Sequence, residues 1–205
     1  MELGMEKRMG NTLKYYNSNA HNFVSDTIGV SFTELQDIFL GYIPPGGKIL
    51  DLGCGSGRDT KYFLSKGYDV DATDGSKELC KIASAYAGIP VKRMLFEELN
   101  AVEMYDGIWA CASILHVEKN QLPDILKKMA IATRNGGVVY TSFKYGDFEG
   151  VRNGRFFTYL TEESFKELLK NIPELIIEKL WISADVRIER GKEQWLNIIL
   201  RKWMG

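Results

Sequence analysis

Two acids and three glycines carry the most specific chemistry in this chain. In ILDLGCGSGRDT (Ile49 to Thr60) an apolar run leads into Asp51, and Gly53, Gly55 and Gly57 follow at alternate positions. Glycine costs conformational entropy on folding, so such a cluster marks tight turns or a ligand lying against bare backbone. Between a strand and a helix it is the ligand cradle of open α/β sheets. The next apolar run ends in VDATDGS, which puts Asp74 where an acid accepts hydrogen bonds from ribose hydroxyls. Dinucleotides and adenosyl ligands share that ribose. Dinucleotide cradles read G-x-G-x-x-G, with the pyrophosphate on the helix N-terminus. Here the spacing is G-x-G-x-G with an acid two residues before the first glycine. A carboxylate there repels a pyrophosphate and suits a ligand with a positive group near the loop. The phosphate loop G-x-x-x-x-G-K-[ST] is absent.

A second set of reactive side chains is more scattered. His116 follows the apolar stretch YDGIWACASIL, at the C-terminal edge of a strand where ligands bind in such sheets, and reads either as a general base or as a capping or packing histidine. The stretch KYGDFEGVRNGRFFT sets Lys144, Arg152 and Arg155 among aromatics. It reads either as a solvated loop or as a lid whose guanidinium forks hold a carboxylate or phosphate. Asp185 and Arg187 are candidates for the same rim, and Tyr15 and Tyr16 for the first helix's core or a lid. Cys54, Cys80 and Cys111 have no C-x-x-C spacing and lie in apolar segments, so Cys54 and Cys111 are expected as packing thiols in a reduced, cytoplasmic setting. His21 and His116 lie far apart and suggest no metal site.

These groups need a scaffold, and the bulk numbers allow one. The 205 residues, 45% of them hydrophobic, support a single substantial core. A formal net charge of −1 does not point to a dedicated nucleic-acid binder. The N-terminus has no apolar signal-peptide core, and no segment approaches the ~18 apolar residues of a membrane span. Helical spacing runs from about Thr12 through the first 27 residues, and again from Ser31, as a cap, to Gly41. Strands are expected at Lys48–Leu52, Tyr68–Thr73, Val91–Leu95, Tyr105–Ala112 and Val138–Phe143. Helices are expected at Arg58–Lys66, from the Ser76 cap to about Tyr86, and at Gln121–Thr133. A polar stretch, Lys144 to Thr158, is too long for a simple connector. A helix then runs from Thr161 to Lys170, lacking the Glu that would complete a capping box. Ile176–Ile182 and Trp195–Arg201 close the chain with no crossover helix between them, so they are expected as an antiparallel hairpin at the sheet edge. The alternation predicts an α/β protein with a mostly parallel sheet covered on both faces. We expect one domain, 1–205, with residues 1–46 as a helical cap on a core of 47–205.

ILDLGCGSG, then Asp74, YDGIWACASILHV and RNGGVVYTSF, in that order, resemble the class I S-adenosylmethionine-dependent methyltransferases. The likeness spans roughly Lys48 to Phe143. A group of small bacterial methyltransferases with an N-terminal YY-x-x-N-A segment, an SFKYG…GR-x-F loop and a late W-L-N is more similar still, and tellurite-resistance-type methyltransferases more distantly so. The resemblance implies a Rossmann-like seven-stranded sheet of order 3-2-1-4-5-7-6 with strand 7 antiparallel. It places Asp51 and Gly53-Cys54-Gly55 at the methionine part of S-adenosylmethionine, Gly57 and Arg58 beneath it, Asp74 on the ribose, and Gly75 and Ser76 on the adenine side. Where the family has an acid near the adenine amine this chain has Phe96, with Glu97 next. Cys111, Ala112 and Ser113 fall where the family meets the sulfonium and the acceptor. His116, Tyr16 and Arg155 are the candidate acceptor contacts. The expected reaction is methyl transfer to a small-molecule acceptor. A tRNA or protein methyltransferase and a non-catalytic adenosyl-ligand binder are the alternatives.

Overall fold

The computed structural model describes residues 2–187 and 193–203, with side chains from Gly10 onward. Helices α1 (Glu2–Ser18), α2 (Ala20–Thr27) and α3 (Thr33–Leu40) precede the first strand. Then come β1 (Lys48–Leu52), α4 (Arg58–Ser65), β2 (Asp69–Asp74), α5 (Lys77–Ala87), β3 (Val91–Arg93), β4 (Tyr105–Ala110), α6 (Leu122–Ala132) and β5 (Thr133–Lys144). A hairpin of β6 (Glu149–Arg152) and β7 (Arg155–Thr158), then α7 (Glu162–Leu169), β8 (Leu175–Ala184) and β9 (Gln194–Lys202) complete the chain. The main sheet runs β3-β2-β1-β4-β5-β9-β8. Strands β1 to β5 pair in parallel, while β9 is antiparallel to β5 and β8. This is the expected order, with β8 and β9 as the family's sixth and seventh strands.

Burial follows the sequence pattern. Leu50, Leu52, Ile108 and Val139 pack on one face with Leu122, Ile125, Leu126 and Met129 of α6 and Phe165 of α7. On the other, Ile49, Val70, Trp109 and Tyr140 meet Phe39 of α3 and Phe63 of α4. Trp109 and Tyr140, on the neighbouring strands β4 and β5, stack at 4.0 Å between ring centroids. The central strands are buried on both faces, which is why they read as continuous apolar runs.

The differences are local. Residue Ser31 does not cap α3: Phe32 holds that position, and the Ser31 hydroxyl bonds Thr33 instead. Ser164 takes the place of the missing Glu, accepting the Thr161 N–H at 2.9 Å while Thr161 Oγ1 accepts the Ser164 N–H at 3.2 Å. The β4–β5 ladder starts at Tyr105–Thr133, slips, and resumes at Gly107–Val138, so Asn135-Gly136-Gly137 interrupts the strand rather than preceding it. The stretch after Phe143 is not an open loop. It forms a two-stranded sheet turning at Asn153-Gly154, both with positive φ (49° and 77°). Asn-Gly is the strongest short-range hairpin signal, because both residues tolerate the left-handed conformation of a tight turn.

Candidate functional site

The C-terminal ends of β1, β2 and β4 open onto one cavity of about 230 Å³. Its floor is Gly53–Ser56, Asp74-Gly75 and Cys111–Ser113, and Leu13, Tyr16, Phe23, Arg155 and Phe157 are among its other walls. Ligand crevices of open α/β sheets lie at this end.

The glycine loop is tied down by main chain. Gly53 leaves β1 with φ +81°, and the N–H groups of Gly53 and Cys54 both donate to Thr73 O at 2.9 Å. A Cβ on Gly53 would lie 2.5 Å from the Ser113 Cβ, so the loop must be bare there. Asp74 accepts the Gly55 N–H at 3.0 Å and the Ser76 N–H at 2.8 Å, one on each oxygen. Burial raises its pKa, and those two N–H groups oppose the rise. A carboxylate has about four lone-pair sites, so this one can still accept from two hydroxyls.

The other residues expected around the cofactor divide. Cys54, Arg58, Gly75, Phe96, Cys111 and Ala112 line the cavity; Asp51, Gly57, Ser76 and Glu97 do not. Asp51 is 2% exposed and accepts the Thr60 hydroxyl at 2.6 Å. Burial, with the Asp59 charge adding to it, pushes its pKa up to about 8. Gly57 packs on α5, where a Cβ would meet Ala83 at 3.1 Å. Ser76 caps α5 through the Leu79 N–H and donates to Asn17 of α1 at 2.8 Å, so it holds Asp74 and α1 in place. Glu97 lies in a 3₁₀ turn whose backbone N–H at Leu95 is taken by Glu98. Arg58 forks onto Asp59, which also accepts from Gln36 and Trp109. Ala112, a non-glycine at φ 49°, donates its N–H to Ser142 Oγ at 2.9 Å. Such backbone is held only where its surroundings over-determine it. Burial pushes the Cys111 thiol up to about 12, and the Cys54 thiol is raised by burial too, so both are protonated packing groups.

The three scattered candidates come together. His116 ends a 3₁₀ turn after β4, with Nδ1 2.6 Å from Phe156 O and Nε2 2.8 Å from the Tyr16 hydroxyl. A carbonyl only accepts, so Nδ1 carries the proton and Tyr16 donates to the Nε2 lone pair. Burial lowers the His116 pKa to about 4, and the Arg155 and Lys144 charges deepen that against the Phe156 carbonyl. Burial raises the Tyr16 phenol, opposed by the nearby Arg155 charge. Phe156 also donates its N–H to Thr12 Oγ1 at 3.0 Å, so one residue of β7 clasps α1 to His116. Asp185 and Arg187 join the cavity as an ion pair at 2.6 Å, and Trp195 Nε1 donates to Asp185 at 3.1 Å. The residue reading missed Leu13 and Phe23 as walls; their helical spacing reads equally well as core. Among the described residues no group of His, Cys, Asp and Glu is arranged to hold a metal, and no helix is long and apolar enough to cross a membrane.

A profile of the methyltransferase domain matches residues 49–137. Fold, cradle and match together support a class I S-adenosylmethionine-dependent methyltransferase. An uncharacterized methyltransferase of Staphylococcus carnosus is 25% identical over 190 residues, covering 84% of this chain and 91% of the relative. The probable S-adenosyl-L-methionine-dependent methyltransferase TehB of Haemophilus influenzae is 30% identical over 95 residues, 44% of this chain and 33% of TehB. The crystal structure of the Burkholderia thailandensis 1,6-didemethyltoxoflavin-N1-methyltransferase, with 1,6-didemethyltoxoflavin and S-adenosylhomocysteine bound, superposes with a TM-score of 0.78 at 21% identity, covering 97% of this chain and 90% of that one.

The residues present fit S-adenosylmethionine. Asp74 keeps acceptor capacity for a ribose, Phe96 offers an apolar wall, and Ser113 Oγ is buried on the cavity wall without a hydrogen-bond partner among the described residues. The cofactor is S-adenosylmethionine.

Proposed function

We propose that this chain methylates a small-molecule acceptor. One observation carries the reading: the adenosyl cradle and the pocket around His116 are one continuous cavity, walled by Tyr16, Phe23, Phe157 and Trp195. That suits a small guest better than a nucleic acid or a protein surface. The Burkholderia enzyme, whose structure holds 1,6-didemethyltoxoflavin, supports the same reading.

Bound S-adenosylmethionine would supply a sulfonium-activated methyl group for the acceptor and would be left as S-adenosylhomocysteine. The chain supplies alignment and exclusion of water. Leu13 and Phe23 cover Gly75 and Gly55, where a Cβ would meet them at 2.7 and 3.1 Å. In this reading Asp74 holds the ribose, Gly53-Cys54-Gly55 and Cys111-Ala112 flank the methionine end, and Tyr16, His116 and Arg155 face the acceptor. His116 is no standing base. With its pKa lowered to about 4, a proton placed on it at pH 7 costs about 4 kcal/mol. The Tyr16–His116 pair therefore orients an acceptor, and takes its proton only when a negative charge nearby raises the ring.

A labelled-methyl screen over thiols, phenols, small acids, tellurite and bulk tRNA tests this. Turnover on a small molecule is expected, and turnover on RNA alone would contradict it.

A further inference from the structure

We propose that the acceptor is a small organic anion whose carboxylate or phosphate is held by the Arg155 guanidinium. This deepens the small-molecule reading and rests on it.

The charges of the cavity point to Arg155. Among the described residues four cationic side chains line it: Arg58, Lys144, Arg155 and Arg187. Three have a carboxylate of their own, Arg58 on Asp59 at 2.7 Å, Lys144 on Glu193 at 2.6 Å and Arg187 on Asp185 at 2.6 Å. Arg155 has no carboxylate partner among the described residues, and its Nε is buried with no hydrogen-bond partner. A buried donor on a charged group is costly to leave unmade, and an anionic oxygen relieves that cost. The guanidinium is nevertheless firmly placed. Its carbon lies 4.7 Å from the Tyr15 ring centroid, 5.1 Å from Phe157 and 5.8 Å from Tyr16. Rings hold a cation by their faces and leave N–H edges, the unpartnered Nε among them, for a planar, bidentate partner, although the guanidinium also reaches the Tyr16 hydroxyl.

Its neighbourhood ties this anchor to the reacting end. The next residue, Phe156, is pinned by Thr12 on one side and by His116 on the other. An anion on Arg155 therefore sits beside the Tyr16–His116 pair. It also offsets one of the two charges that add to burial in keeping the imidazole neutral. The same ligand that fills the anchor thus makes the pair a better proton acceptor, which a neutral ligand does not.

Protein saturated with S-adenosylhomocysteine is titrated with benzoate, phenyl phosphate and the neutral benzamide, by calorimetry and by the imidazole NMR signals. Only His21 and His116 contribute those signals. At least one anion is expected to bind tenfold or more tighter than benzamide and to raise the His116 pKa; the stronger anion tells carboxylate from phosphate. Arg155→Gln should erase the preference, and Arg155→Lys should keep part of it. S-adenosylhomocysteine affinity should change less than threefold in both, which also reports correct folding. Equal binding of anion and amide, no binding of either anion, or a preference that survives Arg155→Gln overturns the proposal. A tenfold loss of S-adenosylhomocysteine affinity in Arg155→Gln also overturns it, by assigning the guanidinium to the cofactor's carboxylate. Wild-type protein that binds no S-adenosylhomocysteine overturns the methyltransferase reading first, and this proposal with it.

Discussion

The two ends of the cavity are built differently. At the end proposed for the ribose, one carboxylate is aimed by backbone: Gly55 and Ser76 each give Asp74 an N–H, and Thr73 O holds the loop through Gly53 and Cys54. At the end proposed for the acceptor, side chains come from distant segments: Thr12 and Tyr16 from α1, His116 after β4, and Arg155 and Phe156 from β7. Backbone geometry fixes a common ligand part and tolerates little change. A side-chain clasp can be retuned by single substitutions, which suits the part of the site that sets specificity.

Several substitutions would break or sharpen that contrast. The largest effect is expected from Asp74→Ala, which removes the proposed ribose acceptor and leaves the Gly55 and Ser76 N–H groups without their carboxylate. S-adenosylhomocysteine affinity should fall about 100-fold, some 2–3 kcal/mol, by calorimetry. Gly53→Val comes next. Positive φ and the 2.5 Å approach to Ser113 should lower stability by about 2 kcal/mol and abolish binding, seen in denaturant midpoints and titration.

At the acceptor end the effects are smaller and spare the cofactor. His116 titrates near 4 when folded, below the ordinary 6.5, so the unfolded chain binds more protons between those values. Stability is full above about pH 6.5 and declines as pH falls toward 4, by ~2 kcal/mol after allowing for the ring's contact with the solvated cavity. His116→Gln should flatten that part of the stability profile; an unchanged slope would assign the loss to other groups. Tyr16→Phe removes the donor to Nε2. It should lower kcat about tenfold, with S-adenosylmethionine affinity within twofold; equal losses in both would place Tyr16 on the cofactor. Cys54→Ala should barely alter activity, because its raised pKa keeps the thiol protonated.

The same contrast decides what the sequence reveals. The cradle is local: G-x-G-x-G, the acid before it and Asp74 after the next strand sit on consecutive elements, and their roles follow from a strand–turn–helix pattern. Even there, spacing cannot tell a glycine facing a ligand from one facing a helix. Gly57 packs on Ala83, and Asp51 turns to Thr60, away from the cavity. The acceptor end is non-local. Nothing near His116 in sequence announces Tyr16 or the Phe156 carbonyl, because both arrive by tertiary packing. The hairpin that brings Phe156 was legible in Asn153-Gly154, but its aromatic and basic composition resembles a loop.

Calorimetry of S-adenosylhomocysteine binding to wild type, Asp74→Ala and Tyr16→Phe tests the division of labour most directly. The expected result is binding by wild type, an affinity about 100-fold weaker in Asp74→Ala, and near-unchanged binding in Tyr16→Phe. Comparable losses in both variants, or an Asp74→Ala protein that binds as wild type does, would contradict it.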